Sequence, residues 1–95
     1  MPKAGSGIDM YFVYVLKSQL DNGWYIGYSE DLDRRLIEHN SGKNISTHAR
    51  RPFILIYYEA YVNKLDALGR EKFLKSGAGR NFLKKQMSHY LENMS

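Results

Sequence analysis

Arg35 and His39 stand four residues apart in a segment of helical periodicity, a spacing suited to phosphate chemistry. At about 100° per residue, Leu32 and Leu36 set an apolar stripe, and Arg35 and His39 fall beside it at the border between core and solvent. A guanidinium there can grip a phosphate through two parallel hydrogen bonds. An imidazole there can take or give a proton near neutral pH. Arg34 and Glu38 point away and can pair with each other at i,i+4. The competing reading is an arginine and a histidine laid over a sheet edge for packing alone.

Glu71 is a sharper anomaly. Ala67, Leu68 and Leu74 recur at helical spacing and Glu71 projects among them. A carboxylate in an apolar stripe needs a partner or a task, because unpaired burial is costly. A hard divalent cation such as Mg²⁺ would supply both. Leu65 and Phe73 define a second apolar face, and a local pair with Lys75 is the alternative. Between these helices, Lys43 to Arg51 carries Lys43, His48, Arg50 and Arg51 without an acid. Ser46 and Thr47 in that stretch have no base and orienting group beside them in sequence, so they make poor nucleophiles. Their hydroxyls suit phosphate oxygens instead. No Walker loop, dinucleotide glycine fingerprint or zinc spacing is present.

The elements that must position these residues are legible. Tyr11 to Lys17 is β-branched and aromatic, hence a strand. Asp21-Asn22-Gly23 is a turn signal, and Trp24 to Tyr28 returns as the second strand of a hairpin. Ser29-Glu30-Asp31 opens a helix that runs to about Asn40 and stops at Ser41-Gly42. A basic loop over 43–52 leads into a third strand, Phe53 to Tyr61. Asn63-x-x-Asp66 resembles a capping box and opens a helix to about Ser76. Gly77-Ala78-Gly79 is expected to break it, with a further short helix over Arg80 to Leu91. The expectation is a small α/β (α+β) domain, a three-stranded mainly antiparallel sheet in ββαβα order flanked by helices. It covers 10–92 behind a flexible Gly/Ser-rich tail over 1–9.

Composition bounds the functions available. Ninety-five residues are one domain's worth of chain. A hydrophobic fraction of 43% and a charged fraction of 25% describe an ordinary globular protein. With no cysteine there is no disulfide, thiolate metal site or thiol nucleophile, which suits a cytoplasmic location. No run spans a membrane and no h-region marks a signal peptide. The net charge of +4 is unevenly spread. Residues 1–63 hold seven basic and seven acidic side chains, whereas 64–95 hold seven and three, including Lys84 and Lys85. That asymmetry favours a polyanionic partner. Eight tyrosines add rings that can stack on bases or fill strands.

Taken in order, Phe12-Val13-Tyr14, Tyr25-Ile26-Gly27, Arg35, His39 and Glu71 resemble the GIY-YIG nuclease superfamily over residues 10–85. Phe12 replaces the first glycine of the family name, while the second triplet is literal. Ser46-Thr47, Arg50-Arg51-Pro52, Tyr57-Tyr58-Glu59 and Lys75-Ser76-Gly77 look like the small single-domain bacterial members. Those are similar to the N-terminal nuclease domain of the UvrC-like excinucleases, which act in DNA repair.

The resemblance implies phosphodiester hydrolysis with one divalent metal, Mg²⁺ or Mn²⁺. Glu71 would ligate it, Tyr14 and Tyr25 would be the paired tyrosines that handle the nucleophile's proton, and Arg35 would clamp phosphate. His39 would assist the tyrosine, and Gly27 would leave room for the backbone beside the site. Tyr28 stands where some relatives carry lysine, and Asn81 is the nearest match to an asparagine that follows the glutamate. A free tyrosine titrates near 10, so Arg35, the metal or His39 would have to lower that value. Lys43, Ser46, Thr47, Arg50, Arg51, Lys84 and Lys85 are the expected nucleic-acid contacts, with DNA favoured over RNA. A partner protein can supply specificity to so small a domain. The rival functions are a nucleic-acid-binding module of the same fold that cuts weakly or not at all, and an interaction domain for an acidic protein.

Overall fold

A computed structural model of the chain describes residues 9–93. The tail expected over 1–9 lies outside them except for Asp9. Strands β1 (Tyr11–Ser18) and β2 (Trp24–Ser29) form the hairpin, followed by helix α1 (Leu32–Ser41). A 3₁₀ turn (His48–Arg50) precedes β3 (Phe53–Tyr61), and α2 (Lys64–Lys75), α3 (Gly77–Gln86) and α4 (Ser88–Glu92) complete the fold. The sheet is antiparallel in the order β2-β1-β3. No helix among the described residues is long and apolar enough to cross a membrane.

The central strand explains the layering. β1 is buried on both faces, so its sequence runs apolar without alternation. Phe12, Tyr14 and Leu16 face α1, where they pack with Leu32 and Phe53 and with the half-buried Tyr25 and Leu36. Val13 and Val15 face the other helices and pack with Ile26, Ala67, Leu74, Leu83 and Met87. One extra residue in β3, Ile56, makes a bulge where the partner of Val15 is Tyr57 and that of Leu16 is Leu55.

The caps act where the turn residues place them. Asp31 accepts from the Arg34 amide at 3.0 Å, and Gly42 closes α1 in the left-handed region at φ +83°. Asn63 caps α2 by accepting from the Leu65 amide at 2.8 Å. Asn40 then docks α1 on the sheet, exchanging two hydrogen bonds with the Phe53 backbone at 2.6 and 3.0 Å.

The expected glycine break is corrected. Ser76 alone separates α2 from α3, and Gly77 to Gly79 form the first turn of α3. Gly79 is buried against α2, so closely that a Cβ would collide with the Phe73 carbonyl and the Leu74 backbone. Its glycine serves close helix packing rather than helix termination. The helix expected over Arg80 to Leu91 is likewise two elements, joined at Met87.

Candidate active site

Tyr14, at the centre of β1, lies opposite Gly27 of the edge strand β2. Opposed residues share a face, so the tyrosine ring lies over the Gly27 backbone. A Cβ built on Gly27 would collide with the Tyr14 hydroxyl and stand 2.5 Å from its Cζ. The missing side chain is what lets the hydroxyl settle there. That hydroxyl hydrogen-bonds His39 Nε2 at 3.0 Å, across 25 residues of sequence. Tyr25, two residues before Gly27, turns its ring onto the imidazole with 4.9 Å between centroids.

The helical stripe puts His39 at the border of the core. It is instead wholly buried, at 0% exposure, with Arg35 one turn earlier left to mark the border. Arg35 Nε lies 3.7 Å from Glu38, and Arg34 is the same distance from the other oxygen of that carboxylate. The second ring nitrogen of His39 meets the Thr47 hydroxyl at 2.7 Å. Thr47 is also at 0% exposure, so its expected phosphate contact is corrected: the side chain faces inward and holds the histidine.

The electrostatics follow from burial. Tyr14, 2% exposed, has its pKa pushed well above the ordinary value of 10, first by burial and then by Tyr25. Arg35 pulls the other way but is outweighed, and Glu71 and Glu38 add to the rise. Arg35 thus acts in the expected direction without bringing the value below 10, and burial and Tyr25 set the net direction. Burial, and then Arg35, depress the pKa of His39 below 6.5 and keep the imidazole neutral.

Glu71 stands on α2, in the opposite layer, near enough for its charge to act on Tyr14. It shares the inward stripe of α2 with the buried Ala67 and Leu74, while Leu65 and Phe73 face outward. Its side chain is 20% exposed and 3.2 Å from Lys75 Nζ, so the local pair exists alongside the partial burial. Among the described residues no three His, Asp or Glu side chains gather. A single carboxylate still fits Mg²⁺ when water and substrate phosphates complete its shell. Asn81 is exposed on α3.

The expected nucleic-acid contacts divide. Lys43, Ser46 and Arg51 are exposed on the loop, with the Ser46 hydroxyl turned to Asn44 Oδ1 at 2.6 Å. Arg50 is committed elsewhere. Its guanidinium binds Asp21 in the hairpin loop at 2.9 and 3.3 Å and holds that carboxyl down to about 2. Lys84 and Lys85 are exposed on α3, across the sheet from α1 and the loop that packs on it. The expected contacts thus fall into two groups, one on the loop beside α1 and one on α3.

Sequence reading did not single out the Thr47 partnership, the Asn40 clasp or a knot around Glu59. The Glu59 carboxylate accepts from Tyr57 at 2.5 Å, from Tyr61 at 2.7 Å and from Arg70 at 2.8 and 3.0 Å. Arg70 also lies 4.5 Å over the Phe82 ring, so it ties β3, α2 and α3 together. The pairing of Tyr57, Glu59 and Tyr61 on alternate strand positions was the available signal for the knot. Nothing in the spacing of His39 and Thr47 signals theirs.

Residues 10–85 match the family model of the GIY-YIG catalytic domain. A UPF0213 protein of Staphylococcus epidermidis is 41% identical over 78 residues, which are 81% of this chain and 94% of that protein. The UPF0213 protein YazA of Bacillus subtilis is 42% identical over 66 residues, 68% of this chain and 66% of its own. The solution NMR structure of a UPF0213 protein from Bacillus halodurans is 34% identical, with a TM-score of 0.55, and the match covers 90% of this chain and 94% of that one. The three-stranded antiparallel sheet with flanking helices is the fold they share.

Proposed function

The chain belongs to the GIY-YIG catalytic-domain family, which carries a nuclease-type function, and on that premise we propose that it is a divalent-metal-dependent endonuclease hydrolysing phosphodiester bonds in nucleic acid, DNA in preference to RNA. The buried hydrogen bond from Tyr14 to His39 carries this reading. A tyrosine whose pKa is raised does not hold a standing phenolate at neutral pH, so it can act only by passing a proton on. A neutral His39 gives that proton a destination.

Water attacks phosphorus as the bond to the leaving oxygen breaks. The water's proton passes to the Tyr14 oxygen while the phenol proton passes to His39 Nε2. The leaving oxygen takes a proton from solvent, and His39 returns its own to solvent after turnover. Arg35, half-buried at the border of the site, offsets phosphoryl charge through its planar fork. Tyr25 holds the imidazole face. Glu71 would hold Mg²⁺ or Mn²⁺, which when bound polarises the phosphoryl oxygen and stabilises the leaving oxygen.

Domain limits of 10–92, with specificity supplied by a partner protein, belong to the same proposal. A second reading, a nucleic-acid-binding module that does not cut, is favoured by the Glu71–Lys75 ion pair, which occupies the carboxylate. Labelled single-stranded, duplex and branched DNA and RNA, incubated with the protein in Mg²⁺, Mn²⁺ or EDTA, decide between them. Metal-dependent cleavage supports the enzyme. Salt-sensitive binding without cleavage on every substrate supports the module.

A further inference from the structure

Thr47 is a β-branched side chain with no exposed surface, in a loop whose neighbours are polar and basic. Valine would fill the same volume. What threonine adds is one hydroxyl, and that hydroxyl lies 2.7 Å from His39 Nδ1. It also lies 3.4 Å from the Asn44 carbonyl, which accepts from the amides of Thr47 at 3.1 Å and His48 at 2.9 Å.

Three protons must be placed along this line: one on Tyr14, one on neutral His39 and one on Thr47. A carbonyl can only accept, which gives the line a direction. If Thr47 donates to Asn44, its oxygen accepts the Nδ1 proton, and Nε2 is left with a lone pair facing the Tyr14 hydroxyl. Every proton then has an acceptor. In the opposite arrangement Thr47 donates to Nδ1 and Nε2–H points at the Tyr14 oxygen. The phenol proton then turns from the imidazole to the substrate side, and the Asn44 carbonyl loses its Thr47 donor. That arrangement keeps two hydrogen bonds along the line where the first keeps three, and is the costlier one.

We propose that Thr47 is a positioning residue that fixes His39 in its Nδ1–H tautomer, so that Nε2 stands ready to receive the Tyr14 proton. The effect on turnover rests on the nuclease reading, whereas the tautomer itself does not. The groups that face the imidazole are Tyr14, Tyr25, Phe53, Thr47 and the nearby charges of Arg35 and Glu38. Of these, Thr47 alone hydrogen-bonds Nδ1. The tautomer of a histidine is set by the partner of its second nitrogen, so the loop that carries Lys43 and Arg51 also sets the state of the proton acceptor.

The test uses the full chain labelled with ¹⁵N, with Thr47→Val and Thr47→Ser as variants and amide spectra to verify folding. In the wild type, His39 Nδ1 should resonate as a protonated nitrogen and Nε2 as one bearing a lone pair. Thr47→Ser should keep that pattern, and Thr47→Val should lose it. An Nε2–H tautomer in the wild type overturns the proposal, as does an unchanged pattern in Thr47→Val. Should Thr47→Val not fold, the wild-type and Thr47→Ser spectra still decide. On a substrate the wild type cleaves, Thr47→Val should lower kcat by roughly 10- to 100-fold, the scale on which loss of an orienting partner of a metal-bound histidine acts. KM should be unchanged, with recovery in Thr47→Ser. Full cleavage by Thr47→Val refutes the positioning role and leaves the nuclease reading standing. A wild type that cleaves nothing refutes the nuclease reading, while the spectra still judge the tautomer.

Discussion

Replacing Gly27 with alanine tests the geometry of the site with one methyl group. The new Cβ would overlap the Tyr14 hydroxyl and lie 2.5 and 3.0 Å from two carbons of its ring. The ring cannot swing aside, because His39 and Tyr25 pack on it and its own backbone is in the central strand. Overpacking of this kind costs about 1–3 kcal/mol. Removing a strand glycine returns about 0.5–1 kcal/mol. The net loss is then about 0–2.5 kcal/mol, centred near 1, and Tm should fall by up to roughly 20 °C for a domain this size.

The catalytic effect should exceed the loss of stability. Any shift that relieves the overlap moves the hydroxyl from its 3.0 Å contact with Nε2. Cleavage should fall by roughly 10²–10⁴-fold, the contribution of a positioned proton acceptor. Gly69 is the control. It is an exposed glycine inside α2 with nothing within 4 Å of a built Cβ, so Gly69→Ala should gain about 1 kcal/mol and leave cleavage alone. Thermal melts and single-turnover cleavage of the two variants give the comparison. A Gly27→Ala protein with unchanged Tm and unchanged rate would refute both the placement of Tyr14 over β2 and the role built on it.

Tyr14→Phe should lose roughly 10²–10⁴-fold in rate and about 1–3 kcal/mol in stability, because His39 Nε2 is left buried without its donor; a stable, fast variant transfers the role to Tyr25. Arg35→Ala should abolish cleavage with the fold retained and Arg35→Lys should restore part of it, whereas the more exposed Arg34→Ala serves as a neutral control in the same assay. Glu71→Gln should remove Mg²⁺-dependent cleavage while DNA binding persists and stability moves by less than about 0.5 kcal/mol, the worth of its pair with Lys75; retained cleavage sinks the metal assignment. Stability should also decline as pH falls below 6.5. There the unfolded chain binds a proton that the folded His39, its pKa depressed, refuses. Denaturant melts from pH 8 to pH 5 on the wild type and His39→Gln measure it, and equal slopes refute it.

The elements of this fold were legible where local chemistry decides them. Asp31 and Gly42 bracket α1, Asn63 opens α2, and β3 runs over the segment its β-branched and aromatic residues mark. Local chemistry fails where one residue type answers two needs. Gly77 to Gly79 read as a break because glycine ends helices, yet Gly79 is there to let α3 touch the backbone of α2. Periodicity likewise showed two apolar faces on α2 without saying which one is inside. The buried Ala67 and Leu74 settle it, and put Glu71 on the inward side. Charge counting had the same blindness. Arg50 counts as a free cation in the sequence, but its bond to Asp21 crosses 29 residues.

The site itself divides along a physical line. The residue types and their order were readable, because a phosphate clamp, an acid–base pair and a hard ligand each demand particular side chains. Their protonation was not, because it depends on burial that no spacing reveals. On the sequence alone, a tyrosine acting on water requires a lowered pKa, with Arg35, the metal or His39 as the means. In the fold the charge of Arg35 does act on Tyr14, but desolvation and the neighbouring Tyr25 raise the phenol further than the arginine lowers it. The proposed reaction therefore uses Tyr14 as a phenol that passes a proton on. The same burial that disfavours a phenolate keeps His39 neutral, and a neutral imidazole bonded to the phenol removes the need for one. In the proposed reaction, transfer through Tyr14 to His39 would let each group stay near its resting charge until water attacks. The proposed chemistry thus rests on a chain of hydrogen bonds assembled from β1, α1 and the loop before β3, three segments that only the folded sheet brings together.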